Sequence, residues 1–254
     1  MSKKPAPVVM IHGGHCGPWS FDGFAKKFQD AGYRVHRPAL RFHDMELPPE
    51  ALGTTSLTDY AADLEEALLA LDGPAILIGH SLGGLLAQIL ASRQPLHALV
   101  LLAPAAPWGV PPSSLFEIAT AQSMLLKAGF WNKILPPDPD MVSRHALNRF
   151  SPVERDGLLK RLVPESGRAT FEMIHWGLDM GRASEVDARK VTCPALVLAG
   201  GEDRINPPGT VERVAMLYKA RATFEKFPGM SHWLIGEPGW ELVADRALAW
   251  LANI

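Results

Sequence analysis

The 254 residues are too many for one small core and fit one α/β domain carrying an insertion. Apolar residues make up 47% and charged residues 20%, with a formal net charge of -2 and a pI near 6.5, so neither nucleic acid nor an anionic membrane is expected as a partner. Lys3–Lys4 and Lys26–Lys27 are only pairs, and both read as solvated surface.

The two cysteines, Cys16 and Cys193, give no disulfide framework, and reduced thiols in the cytoplasm are the simpler expectation. Pro5 and Pro7 break the apolar stretch behind Lys4, leaving it too short for a secretory leader. No window approaches the roughly 18 uninterrupted apolar residues of a membrane span.

Val8-Val9-Met10-Ile11 is a short apolar run ending at Gly13-Gly14, the pattern of a buried strand. Trp19 to Ala31 carries Phe21, Phe24, Ala25 and Phe28 at helical spacing, with Gly32 placed to cap it. Tyr33 to Arg37 reads as a second strand stopped by Pro38, and Leu57 to Leu71 as an amphipathic helix. Ala75 to Ile78 is a third strand, Leu82 to Arg93 a helix and Ala98 to Leu102 a fourth strand. Far downstream come a strand at Ala195 to Leu198, a helix at Val211 to Ala220, a strand at Thr223 to Phe227 and a closing helix at Trp240 to Leu251. Strands that alternate with helices, several of them apolar throughout, predict a mostly parallel sheet covered on both faces.

Between Ala105 and Lys190 no strand is expected. Leu115, Phe116, Met124, Leu125, Phe130, Trp131, Phe150, Phe171, Met173 and Trp176 sit there on helical segments. An unstructured loop of that length is improbable, so the stretch reads as a helical cap. The expected division is residues 1–104 and 191–254 as the core, with residues 105–190 as the cap.

Gly79-His80-Ser81-Leu82-Gly83 fits G-x-S-x-G directly after a strand and directly before a helix. A serine that must stand exposed at the top of a sheet needs a sharp, strained turn, and small residues two before and two after it. Gly84 lets the helix approach the sheet, and the helix N-terminus favours developing negative charge. His80, the variable residue of the turn, reads as packing.

Through His12-Gly13-Gly14, the Ser81 turn, Asp203 and His232, in this order, the chain resembles the α/β-hydrolase superfamily, in particular its capped esterases, lipases, haloperoxidase-like enzymes and C–C hydrolases. The resemblance covers most of the chain. Only one strand precedes the His-Gly-Gly loop, which implies a sheet of about six strands, with the cap inserted after the fourth.

The resemblance implies a Ser81 nucleophile, because a serine hydroxyl needs an adjacent base and the family places its histidine in loops such as Pro228 to Trp233. His232 is then the base. Glu202 and Asp203 both follow the fifth long strand, and Asp203 matches the family's spacing for the acid that orients the base. The oxyanion donors it implies are the backbone N–H groups of Leu82 and, by likeness to His-Gly-x loops, Gly14. His12 is then a loop-shaping residue. His15, Trp108, Trp131, Trp176 and Trp233 are the candidates for substrate contact, and Trp19 reads as packing at a helix start.

The implied activity is that of a serine hydrolase cleaving a carboxylic ester of a small, uncharged molecule through an acyl-enzyme. A lactonase, a C–C hydrolase and a lyase share this fold, as do non-catalytic ligand receptors, which usually lose a member of the triad. Ser81 argues against the dehalogenases and epoxide hydrolases of the fold, which use aspartate. No cofactor is expected, since there is neither a dinucleotide glycine fingerprint nor a Walker loop. His12, His15 and Cys16 crowd one turn without a partner cluster, so no metal is expected either.

Overall fold

The computed structural model describes residues 5–254, so the Lys3–Lys4 pair lies outside it. Along the chain come β1 (Val8–Ile11), α1 (Asp22–Asp30), β2 (Val35–His36), α2 (Leu57–Leu69), β3 (Ile76–His80), α3 (Leu82–Ala91) and β4 (Ala98–Leu102). The insertion follows, with α4 (Leu115–Leu125), β5 (Ile134–Leu135), a single turn α5 (Pro139–Met141), α6 (Pro152–Leu159), β6 (Glu165–Ser166) and α7 (Gly167–Ile174). The chain ends with β7 (Ala195–Gly200), α8 (Pro208–Leu217), β8 (Ala222–Phe227) and α9 (Trp240–Leu251).

Among the described residues the main sheet has six strands in the order β2-β1-β3-β4-β7-β8, every neighbouring pair parallel. Successive side chains of a strand point to opposite faces, so each buried strand feeds two cores. Val9, Ile11, Leu77, Leu99 and Val197 pack with α2, α3 and α8 on one face. Val8, Met10, Ile76, Val100 and Leu196 pack with Phe24 and Phe28 of α1 and Val243 and Ala247 of α9 on the other. Each such aliphatic side chain contributes about 1.5–3 kcal/mol when fully buried.

Local chemistry sets the boundaries. Gly32 takes φ 90 just past α1, as expected for a cap residue. The stretch from Trp19 splits into a 3-10 turn at Pro18–Phe21 and then α1. Ser56 opens α2 with a capping box: its Oγ accepts from Asp59 N at 3.0 Å, and its own N–H donates to the Asp59 carboxylate at 2.8 Å. The strand expected from Tyr33 shrinks to two residues at the sheet edge.

The insertion leaves the carboxyl end of β4, and its α7 packs on α2 and on the 3-10 turn Glu50–Thr54. It is not strand-free: Ile134 pairs with Ser166 and Leu135 with Glu165, antiparallel. Two residues per strand are too few for a periodic signal, which is why the sequence does not announce them. Among the described residues no helix is long and apolar enough to cross a membrane.

Candidate active site

Ser81 alone makes the turn between β3 and α3, at φ 53 and ψ -120. A non-glycine residue held there stores about 1–3 kcal/mol of strain and stays only where its surroundings over-determine it. Here Ser81 N–H donates to Leu102 O at 3.2 Å, and Ser81 O accepts from Gly84 N at 2.9 Å and Ala105 N at 3.0 Å. A Cβ on Gly79 would lie 2.3 Å from Gly83 O, so the two expected small residues do meet across the turn. Gly83 has a second reason: its Cβ would lie 2.1 Å from Ile11 O at the end of β1. Gly84 lies against Pro104, which would be 2.7 Å from an added Cβ.

Asp203 follows β7 and is buried. Its Oδ1 accepts the backbone N–H groups of Ile205 at 2.8 Å and Asn206 at 2.9 Å. Its Oδ2 faces His232 Nδ1 at 2.8 Å. A nitrogen facing a carboxylate carries the proton, so Nε2 is left as the basic atom. Glu202 instead points to solvent, with Arg149 at 3.7 Å. The His232 loop is braced from two sides. Ser231 gives its N–H and its hydroxyl to the buried Glu237 carboxylate, and His80 Nε2 donates to His232 O at 2.8 Å.

Leu82 is the first residue of α3, so its N–H has no carbonyl four residues back and is available at the turn. Gly14 lies in the loop after β1. His12 braces that loop, giving its Nδ1 proton to Gly13 O at 2.9 Å and accepting from Leu40 N at 3.0 Å. Burial lowers its pKa to about 3, so it stays neutral. His15 is bound to the insertion: its ring donates to Val163 O at 3.1 Å, and its carbonyl accepts from Val163 N at 2.9 Å.

Sequence reasoning missed Glu165. This buried carboxylate, on β6, accepts from Tyr60 OH at 2.8 Å, Ser166 N at 2.6 Å, His43 Nε2 at 3.1 Å and His15 N at 3.4 Å. Burial pushes its pKa up, but His43 with its hydrogen bond, His15 and the Ser166 N–H together outweigh that and bring it down to about 2.

A cavity of about 190 Å³ opens at Ser81. Its wall is mostly apolar, with Val110, Phe116, Ile118, Met141, Met173, Ile174 and Ile205, and is interrupted by Glu117, Thr120, Asn206 and Thr210. Of the five residues expected to contact substrate, Trp176 lies in this wall. Trp108 stands behind it, edge-on to Trp176 at 5.6 Å and beneath the Arg182 guanidinium. Trp131 belongs to an aromatic cluster with Phe130 and Phe171. Trp233 is buried, stacked on Trp19 at 6.0 Å, and His15 is engaged with Val163. Contacts with other aromatics, and for His15 the Val163 backbone, hold these side chains away from the cavity. The wall residues Phe116, Ile118 and Ala121 come from α4, a helix without a buried residue.

Among the described residues no group of three or more His, Cys, Asp or Glu could hold a metal ion. Cys16 and Cys193 are free and buried.

The model of a family described as "Alpha/beta hydrolase family" matches residues 8–246. A pyrethroid hydrolase of Sphingobium wenxiniae is 28% identical over 150 residues, 58% of this chain and 47% of that protein, so the match spans about half of that relative. A monoacylglycerol lipase of Mycolicibacterium smegmatis is 27% identical over 265 residues, covering 97% of this chain and 88% of the relative. The crystal structure of a monoacylglycerol lipase from Paleococcus ferrophilus superposes with a TM-score of 0.74 at 23% identity, over 98% of this chain and 96% of that one, a likeness of fold.

Proposed function

This chain belongs to the alpha/beta hydrolase family, and we propose that it is a serine carboxylesterase acting on small, uncharged esters through an acyl-enzyme. One observation carries this reading: the strained Ser81 turn opens on a mostly apolar cavity, and the ring of the adjacent His80 lies 4.9 Å from that of His232, which faces Asp203. In this reading His232 Nε2 takes the Ser81 proton as Oγ attacks the ester carbonyl. The N–H groups of Leu82 and Gly14 meet the oxyanion. Collapse expels the alcohol, which takes its proton from His232. A water, deprotonated by the same imidazole, then releases the acid. Asp203 keeps the tautomer and stabilises the imidazolium. Residues 105–190 serve as the cap that roofs the acyl group. The lipase that covers nearly the whole chain supports an ester over a C–C substrate.

The test is labelling and turnover of the purified protein. A fluorophosphonate should label Ser81, and p-nitrophenyl butyrate should be hydrolysed. Ser81→Ala should lose both while unfolding as the wild type does. Labelling at another residue, or full activity of Ser81→Ala, overturns the reading.

A further inference from the structure

Glu165, buried on the insertion, meets the loops that follow β1 and β2. The donors it gathers come from α2 (Tyr60), from the loop after β2 (His43), from the loop after β1 (His15) and from its own β6 (Ser166). His15 is gripped along its whole length, with Val163 N on its carbonyl, its ring on Val163 O and its N–H on Glu165. A Cβ on Gly14 would stand 3.2 Å from Glu165 Oε2. Segment 163–165 therefore brackets the residue that carries the second proposed oxyanion donor.

A carboxylate this close to a developing oxyanion repels it unless its charge is cancelled. His43 is built to cancel it: Nδ1 faces Arg41 O at 3.0 Å and Nε2 faces Glu165 Oε2 at 3.1 Å, so both ring nitrogens point at acceptors. We infer that the Glu165–His43 pair is a positioning device for the esterase reaction, fixing the oxyanion loop to the insertion while His43 neutralises the carboxylate that does the fixing. This rests on the esterase reading above.

Around His43 the titratable groups are His12 with its ring at 5.3 Å, Tyr60 at 5.7 Å, Glu165 and Asp44; around Glu165 they also include His15 and Cys16. Burial pulls the His43 pKa down, and the Glu165 carboxylate more than reverses this, leaving it raised. His12 is neutral, and burial and Glu165 push the Cys16 thiol and the Tyr60 phenol up, so neither adds a charge at working pH.

Glu165→Gln should lower kcat about tenfold or more with little change in KM, because loop misplacement is felt in the transition state. His43→Gln leaves the carboxylate uncompensated and should be the worse single change; adding Glu165→Gln to it should restore kcat to the level of Glu165→Gln alone. In the wild type kcat should fall on the alkaline side as His43 loses its proton, and Glu165→Gln should lack that limb. Two further readouts need no turnover. Hydrogen exchange across residues 12–17 should quicken about tenfold in Glu165→Gln. Imidazole 15N shifts should show His43 losing its second proton at a higher pH in the wild type than in Glu165→Gln. Additive losses in the double variant, or unchanged exchange with His43 titrating alike in the two proteins, overturn the inference. A wild type that hydrolyses no ester but keeps these exchange and 15N signatures faults the esterase reading instead.

Discussion

His80 donates its Nε2 proton to the backbone carbonyl of His232 across 2.8 Å, so the variable residue of the serine turn holds the main chain of the proposed base. The two rings lie 4.9 Å apart. Burial lowers the His80 pKa to about 3, so it stays a neutral, single-proton donor, with Nδ1 buried and unpartnered. His80→Leu fills similar space but leaves the His232 carbonyl without its donor. It should lower stability by about 1–3 kcal/mol in urea unfolding and lower kcat about tenfold as the imidazole drifts. Unchanged kcat would mean that Asp203 and the Ser231–Glu237 contact hold the loop without help.

Asp203→Asn and Glu202→Gln separate the two adjacent acids. An amide in place of Asp203 puts an N–H donor where His232 Nδ1–H now donates, favouring the wrong tautomer. A loss of about 10⁴ in kcat is expected with little change in fold. Glu202 has only its half-exposed pairing with Arg149 at 3.7 Å. Such surface pairs are worth about 0–1 kcal/mol, so Glu202→Gln should stay within about twofold of wild type. Steady-state kinetics on one ester decides, and a worse Glu202→Gln would move the acid by one residue.

Glu172 ties the insertion to α2 by accepting from Leu57 N at 2.8 Å. Burial pushes its carboxyl up to about 7, against the lowering effect of that N–H. A carboxyl raised in the folded state binds more protons there than in the unfolded chain between the ordinary value of 4.5 and about 7. Stability attributable to it is therefore complete below that window and falls as pH rises through it. Glu172→Gln keeps an acceptor for Leu57 N without the charge. Its Tm should exceed the wild type's by about 2–4 °C at pH 8 and match it at pH 4.5. A deficit at pH 8 would show that the carboxylate is well solvated there.

The features legible in the sequence are those set by local pattern. β1, β3, β4 and β7 are apolar runs buried on both faces, and the run alone marks them. α9 keeps its expected bounds, Trp240 to Leu251, and the Gly79/Gly83/Gly84 spacing reports the crowding at Ser81 directly. Glu165 left no such trace, because its donors lie as far away as His15, 150 residues earlier in the chain. The cavity wall departs from expectation for a related reason. Helical spacing says which side chains share a face, not which face is covered, so Trp131 went to a cluster with Phe171 while Phe116 took the wall.

The acyl preference follows from what lines the cavity. Each methylene transferred from water to an apolar wall is worth about 0.8 kcal/mol, roughly fourfold in kcat/KM. Within a space of about 190 Å³ that gain should level off once the apolar wall is covered, so short-to-medium p-nitrophenyl esters should be the best substrates. Trp176 is the largest side chain in the wall, and Trp176→Ala should move the optimum to chains several carbons longer with Ser81 labelling intact. Trp108 reaches the cavity only through its edge contact with Trp176, so Trp108→Ala should shift it less; Trp131→Ala should leave it in place. Among the described residues, Glu117 is the one ionisable side chain in the wall, and Ser113 N, Ser114 N and Thr210 Oγ1 already hold its carboxylate. An acyl chain ending in a carboxylate meets that fixed negative charge without a cation to offset it, so a succinate or adipate monoester should react far more slowly than its uncharged counterpart. Equal rates from acetate to palmitate, or a Trp131→Ala optimum that moves further than that of Trp176→Ala, would place the acyl group somewhere other than this cavity.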